Sequence, residues 1–309
     1  MKRTIIYFLS MAIALGAFSG VHAYSIPSSA GETGLAFLKV GIGSRNLAMG
    51  DAGVASAYDA TAVYYNPALL PKVASRGLFF TYHNFIQDIN QQYIGGNFQW
   101  LGSNYFGFGV NLFTIPDIEK RTGPTTNPIS EFDSRDLAFN FAWGRSITSR
   151  LSLGIGFKYL YEKIDVDELT GYAFDFGASY DVIPMLRIGA SYANVGPEVE
   201  FISESFELPK IFRFGAALMP QKDIYSGRIT VAAEVSKYTD SDMHGHIGLE
   251  YSYKNMISPR LGYALNFSDK GFTGGLGIRY SLYSIDYAYV PFDSDLGDSH
   301  RLSLGVWFK

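Results

Sequence analysis

The chain has 309 residues and is 47% apolar and 16% aromatic, with only 17% charged, where a typical domain carries about a quarter charged. It contains no cysteine and carries a net charge of −4, which excludes disulfides, thiolate metal sites, cysteine catalysis and lipid attachment at a cysteine. An acidic balance also leaves no basic face for nucleic acid.

The first element is a leader. Lys2 and Arg3 form a basic head, Ile5 to Phe18 an apolar run, and Val21-His22-Ala23 a small-x-small cleavage pattern, so residues 1–23 read as a secretory signal peptide cut near Ala23. The apolar run is short for a bilayer-spanning helix of about twenty residues. Loss of Lys2 and Arg3 takes the net charge from −4 to −6. No later run reaches eighteen apolar residues, so a membrane could be crossed only by strands.

Residues 24–72 form the second segment. Gly31 to Leu70 is rich in glycine and alanine and ends in Tyr64-Tyr65-Asn66-Pro67-Ala68. Its short apolar runs suit one or two brief helices, and Asn66-Pro67 marks a turn. Residues 73–309 differ in kind, because their apolar residues recur with period two, the spacing that sends successive side chains to opposite faces of a sheet.

The clearest case is Leu151 to Glu162. Leu151, Leu153, Ile155, Phe157, Tyr159 and Tyr161 share one face, opposite Ser152, Gly154, Gly156, Lys158, Leu160 and Glu162. Segments of this type fall near 75–85, 91–101, 104–115, 134–147, 150–164, 170–183, 185–196, 207–219, 226–238, 244–254, 257–267, 272–283, 284–291 and 299–309. That makes about fourteen strands, an even number, as single-chain outer-membrane barrels have. The longer polar links, 116–133, 194–207, 239–244 and 291–299, are assigned to the outer side and the short turns to the periplasmic side.

A soluble β-sandwich also alternates. Its core faces favour Val, Ile and Leu, whereas Tyr and Phe line the apolar face here, and Gly and Ser fill the other. The fold class is therefore all-β: a closed antiparallel transmembrane barrel with the Gly/Ala-rich segment as a hatch inside its lumen.

The lumen face carries Lys158, Arg187, Arg213, Arg260 and Arg279 against Glu162, Asp175, Glu234, Glu250 and Asp286. Matched signs fit interior bracing, since buried ions need partners and ion selection needs a field of one sign. A polar path for a substrate is the sharper alternative. Gly41-Ile42-Gly43-Ser44-Arg45-Asn46 lacks the third glycine and βαβ context of a dinucleotide fingerprint. His83 and His300 are isolated in sequence, and His244 and His246 lack a third ligand nearby. With no nucleophile elbow or catalytic set, no enzyme activity, metal or cofactor is expected.

Two stretches carry a resemblance. Ala36-Phe37-Leu38-Lys39-Val40-Gly41-Ile42-Gly43-Ser44-Arg45-Asn46-Leu47-Ala48-Met49-Gly50, followed by Asp59-Ala60-Thr61-Ala62-Val63-Tyr64-Tyr65-Asn66-Pro67-Ala68, resembles the amino-terminal signature of the PorV/PorQ family, a branch of the FadL-like outer-membrane proteins. Leu296 to Gly305 resembles that family's closing strand, although the chain ends Trp307-Phe308-Lys309 rather than on an aromatic residue.

The resemblance implies an outer-membrane barrel of fourteen strands with Asn66, Pro67 and Ala68 as the gating element of an internal hatch. It implies contact with outer-membrane lipid and lipopolysaccharide. It also implies either secretion-system proteins and secreted cargo of type IX secretion, or hydrophobic small molecules moved across the membrane.

Overall fold

The computed structural model describes residues 31–73, 76–293 and 296–308; the leader expected over residues 1–23 lies outside them. Fourteen strands close on themselves: β1 (Arg76–Asn84), β2 (Asn90–Trp100), β3 (Asn104–Lys120), β4 (Ser130–Ser146), β5 (Leu151–Ile164), β6 (Asp167–Ile183), β7 (Leu186–Val195), β10 (Ile211–Leu218), β11 (Gly227–Tyr238), β12 (Met243–Tyr253), β13 (Ile257–Leu265), β14 (Phe272–Tyr280), β15 (Tyr283–Pro291) and β16 (Asp298–Phe308). The two remaining strands, β8 (Val199–Phe201) and β9 (Glu204–Phe206), form a separate hairpin between β7 and β10.

Each barrel strand pairs antiparallel with its neighbours, and β1 closes the ring on β16, with Phe80 opposite Leu304. Closure leaves no unpaired edge, which is the condition for strands to stand in lipid. Alternation follows the pleat: on β5, Leu153, Ile155, Phe157 and Tyr159 are exposed, while Ser152, Lys158 and Leu160 are buried. The apolar side of every strand therefore faces outward, and the small and charged side faces the lumen.

The connections sort by end. Residues 121–129, 196–210, 239–242, 292–293 and 296–297 lie at one rim together with the tight turn 165–166, and the turns 101–103, 147–150, 184–185 and 281–282 lie at the other together with the longer link 219–226. The first rim is the outer one by the rule that periplasmic turns are short. Several sequence boundaries move, most of all between β3 and β4. The link expected over 116–133 shrinks to 121–129, because β3 and β4 resume pairing beyond a bulge at Pro116-Asp117, with Ile118 opposite Phe132 and Lys120 opposite Ser130. A bulge accommodates the proline, whose missing N–H would break a regular ladder.

Strand lengths are unequal around the ring. β3, β4 and β6 run 17 residues each, whereas β13, β14 and β15 run nine each. The extra length rises at the outer rim.

Candidate functional site: the filled lumen

Residues 35–73 pack inside the ring, and nearly all of them are buried. The segment forms a helix over Ser44–Ala48, a helical turn over Ala62–Tyr65, and tighter 3-10 turns over Ala36–Lys39 and Pro67–Lys72. Asn66 starts the last turn. Its backbone is extended, its Oδ1 accepts the Ala68 N–H at 3.0 Å, and Pro67 occupies the first position, where a missing N–H removes nothing from the helix.

Asn66 also ties the segment to the wall. Its Nδ2 donates to the Val54 carbonyl at 2.8 Å and to the Ala178 carbonyl of β6 at 3.0 Å. Pro67 and Ala68 approach the wall where it has no side chains. A Cβ on Gly154 would collide with the Pro67 carbonyl carbon and the Ala68 nitrogen, and one on Gly144 would meet the Pro67 oxygen. The glycines on the wall are the space that this turn occupies.

A second anchor sits on the far wall. Ser44 Oγ donates to the Arg301 carbonyl at 3.0 Å, and the Ser44 N–H donates to Ser303 Oγ at 2.9 Å. Next to it, Arg45 grips Glu250 with Nε at 2.9 Å and Nη2 at 3.0 Å, while its Nη1 donates to the Ser56 carbonyl at 2.9 Å. Arg260 donates to Glu250 and to Asp286, both at 2.6 Å. The result is a buried chain of alternating sign: Arg45, Glu250, Arg260, Asp286.

The other lumen charges fall into smaller groups. Arg213 pairs with Glu234 at 3.0 Å, and Glu234 also accepts the Val54 N–H at 2.8 Å. Lys158 pairs with Asp175 at 2.9 Å and also donates to Asn194. Arg187 and Lys72 share Asp181 at 2.8 and 2.6 Å. Two residues of the set stand apart. Glu162 lies opposite Asp136 across β4 and β5 with no basic partner among the described residues, and Arg279 packs on aromatic rings instead of a carboxylate.

Several contributors carry no strong sequence signal. Arg45 sits in the Gly41–Asn46 stretch, Lys72 and Asp181 border turns, and Arg301 is buried against His83 and Gln91 at 2.7 and 3.1 Å. His246 contacts the Gly50 carbonyl at 2.6 Å. At the outer rim, Asp240 receives Lys39 Nζ and Thr33 Oγ1, each at 2.6 Å. Burial alone would push the Asp240 carboxyl up, but these two donors outweigh it and hold it below its usual range.

An apolar cluster lids the outer end of this segment: Leu35, Phe37 and Leu38 pack with Phe113, Leu160, Leu169, Val199 and Leu208. Phe201 and Phe206 of the hairpin pack against it, and Phe292 stands edge-on to Phe85 at 5.5 Å. A cavity opens at each end of the segment. One, of about 280 Å³, opens at the outer rim beside Phe85, Phe267 and Phe292; the other, of about 370 Å³, opens at the short-turn end and has mixed polar and apolar walls.

A family model described as Type IX secretion system protein PorV matches residues 28–241, more than half of the chain. The chain belongs to the PorV family. Solved structures share the fold of this PorV-family barrel at low identity. The toluene transporter TbuX of Ralstonia pickettii has a TM-score of 0.61 at 16% identity, over 87% of this chain and 99% of that one. The toluene transporter TodX of Pseudomonas putida has 0.58 at 16%, over 86% and 96%. A FadL homologue of Pseudomonas aeruginosa has 0.57 at 11%, over 86% and 98%. No curated protein matches. The PorV-family chain thus shares the barrel fold of these proteins and has a filled lumen.

Proposed function

We propose that this barrel is a non-enzymatic component of type IX secretion that binds partner or cargo proteins at its outer rim, and that residues 31–73 act as a hatch gated at Asn66, Pro67 and Ala68. The family match over residues 28–241 is the observation that carries the reading. The geometry is in keeping with it. The lumen is occupied by a segment tied to the wall at several points, and the tall side of the rim ends in exposed apolar residues: Ile129 and Val166 at hairpin tips and Ile202 on the β8–β9 hairpin. Grouped exposed aliphatics at loop tips are the kind of surface that a protein partner covers.

A transporter of hydrophobic molecules is the second reading. It is favoured by the aromatic-lined outer cavity and by neighbours that are toluene transporters. Affinity capture from detergent-solubilised outer membranes separates the two. Recovery of secretion-system proteins or secreted cargo is the expected result, and bound lipid or aromatic solute with no protein partner would overturn it.

A further inference from the structure

The short-turn end of the lumen holds a cavity of about 370 Å³ with mixed polar and apolar walls, which include Tyr58, Arg228, Glu250, Arg260, Arg279 and Asp286. Its charges do not cancel. Arg45, Glu250, Arg260 and Asp286 neutralise one another along their chain of hydrogen bonds, which leaves Arg228 and Arg279 as surplus cations, and of these Arg228 is engaged by the Asn255 side chain.

Arg279 is held by its faces and free at its edge. Its guanidinium lies 4.8 Å from the Trp307 ring and 5.6 Å from the Tyr58 ring, and those two rings stack at 6.3 Å. Among the described residues its side chain makes no ion pair and no hydrogen bond. Stacking on aromatic rings restrains the plane of a guanidinium while leaving its N–H fork available, which is the arrangement that receives a carboxylate with two parallel bonds.

We propose that this cavity is a carboxylate-binding site facing the periplasm, with Arg279 as the receiving group. The ligand class follows from the surroundings. A guanidinium fork held flat by aromatic rings matches the two coplanar oxygens of a carboxylate. The carboxylate could be that of a free small acid or of the carboxyl end of a polypeptide.

The test uses the full-length barrel in detergent and follows tryptophan fluorescence during titration. The probes are sodium acetate, a glycine-rich pentapeptide with a free carboxyl end, its amidated counterpart, and inorganic phosphate. The expected result is saturable binding of acetate or the free peptide and none of the amidated one. Tighter binding of the free peptide than of acetate marks a polypeptide source, and equal binding marks a free acid. Arg279→Gln is expected to weaken binding about tenfold or more, the loss of a charge-assisted pair.

Arg279→Lys keeps the charge, lacks the fork, and is expected to recover only part of that affinity. It decides the matter if the glutamine variant fails to fold. No binding to the unaltered protein, stronger binding of phosphate than of carboxylate, or unchanged affinity in a folded Arg279→Gln or Arg279→Lys barrel would each overturn the proposal.

Discussion

The two anchors of the lumen segment hold it by opposite means. At Asn66-Pro67-Ala68 the contact is uncharged: amide hydrogen bonds to Val54 and Ala178, and backbone laid against glycines of the wall. At Arg45 the contact is a run of buried ions bound to Glu250, Arg260 and Asp286. The first depends on volume and tolerates no added atom; the second depends on charge and tolerates no missing partner. Salt acts little on either anchor, because a fitted backbone carries no net charge and buried ions are shielded from water.

Mutations can separate the two anchors. Arg260→Met strips Asp286 of its partner and leaves Glu250 to Arg45 alone, and removing one member of a buried pair costs about 3–5 kcal/mol. A matching fall in the urea midpoint of the detergent-solubilised protein is the expected reading, and an unchanged midpoint would show that the ionic anchor is dispensable.

Gly154→Val tests the other anchor by forcing a side chain into backbone, where overpacking costs about 1–3 kcal/mol. Protease sensitivity of residues 31–73 should rise while the wall stays folded. Asn66→Ala with Pro67→Ala removes the cap, one bond to the wall at Ala178 and one within the segment at Val54, for about 1–2 kcal/mol. The hatch should loosen in a barrel that remains heat-resistant, since the wall ladder does not involve it, and unaltered solute leakage in vesicles would count against gating.

The smallest effect is at Lys39 and Asp240. A carboxyl held below its ordinary value of 3.8 stabilises the folded chain fully above that value and loses the contribution as pH falls through the lower, folded one. Acidification below about pH 4 should therefore release the outer end of the segment first, at about 1 kcal/mol or less. Hydrogen exchange near Lys39 reads it.

These contrasts also explain what was legible in the sequence. Period two is imposed by lipid on one side of every strand and by a crowded lumen on the other, so the wall could be read from spacings such as Leu153, Ile155 and Phe157. Asn66-Pro67 was legible because proline and a capping asparagine have strong local signatures. Arg45 was not, because its role depends on Glu250, more than two hundred residues away, and a lone arginine in a glycine-rich stretch carries no mark of its partner. Strand length past Pro116 was hidden for a similar reason: a proline reads as a stop unless the bulge that accommodates it is known.

The unequal strands have a consequence for how anything reaches this molecule. β3, β4 and β6 are eight residues longer than β13 to β15. That is about 26 Å of extra strand and about 20 Å of height at the usual tilt. The barrel therefore has a compass direction in the plane of the membrane. A neighbour drifting in the bilayer meets a tall parapet from one bearing and a low sill from the opposite one, so its angle of arrival decides which face of the rim it touches.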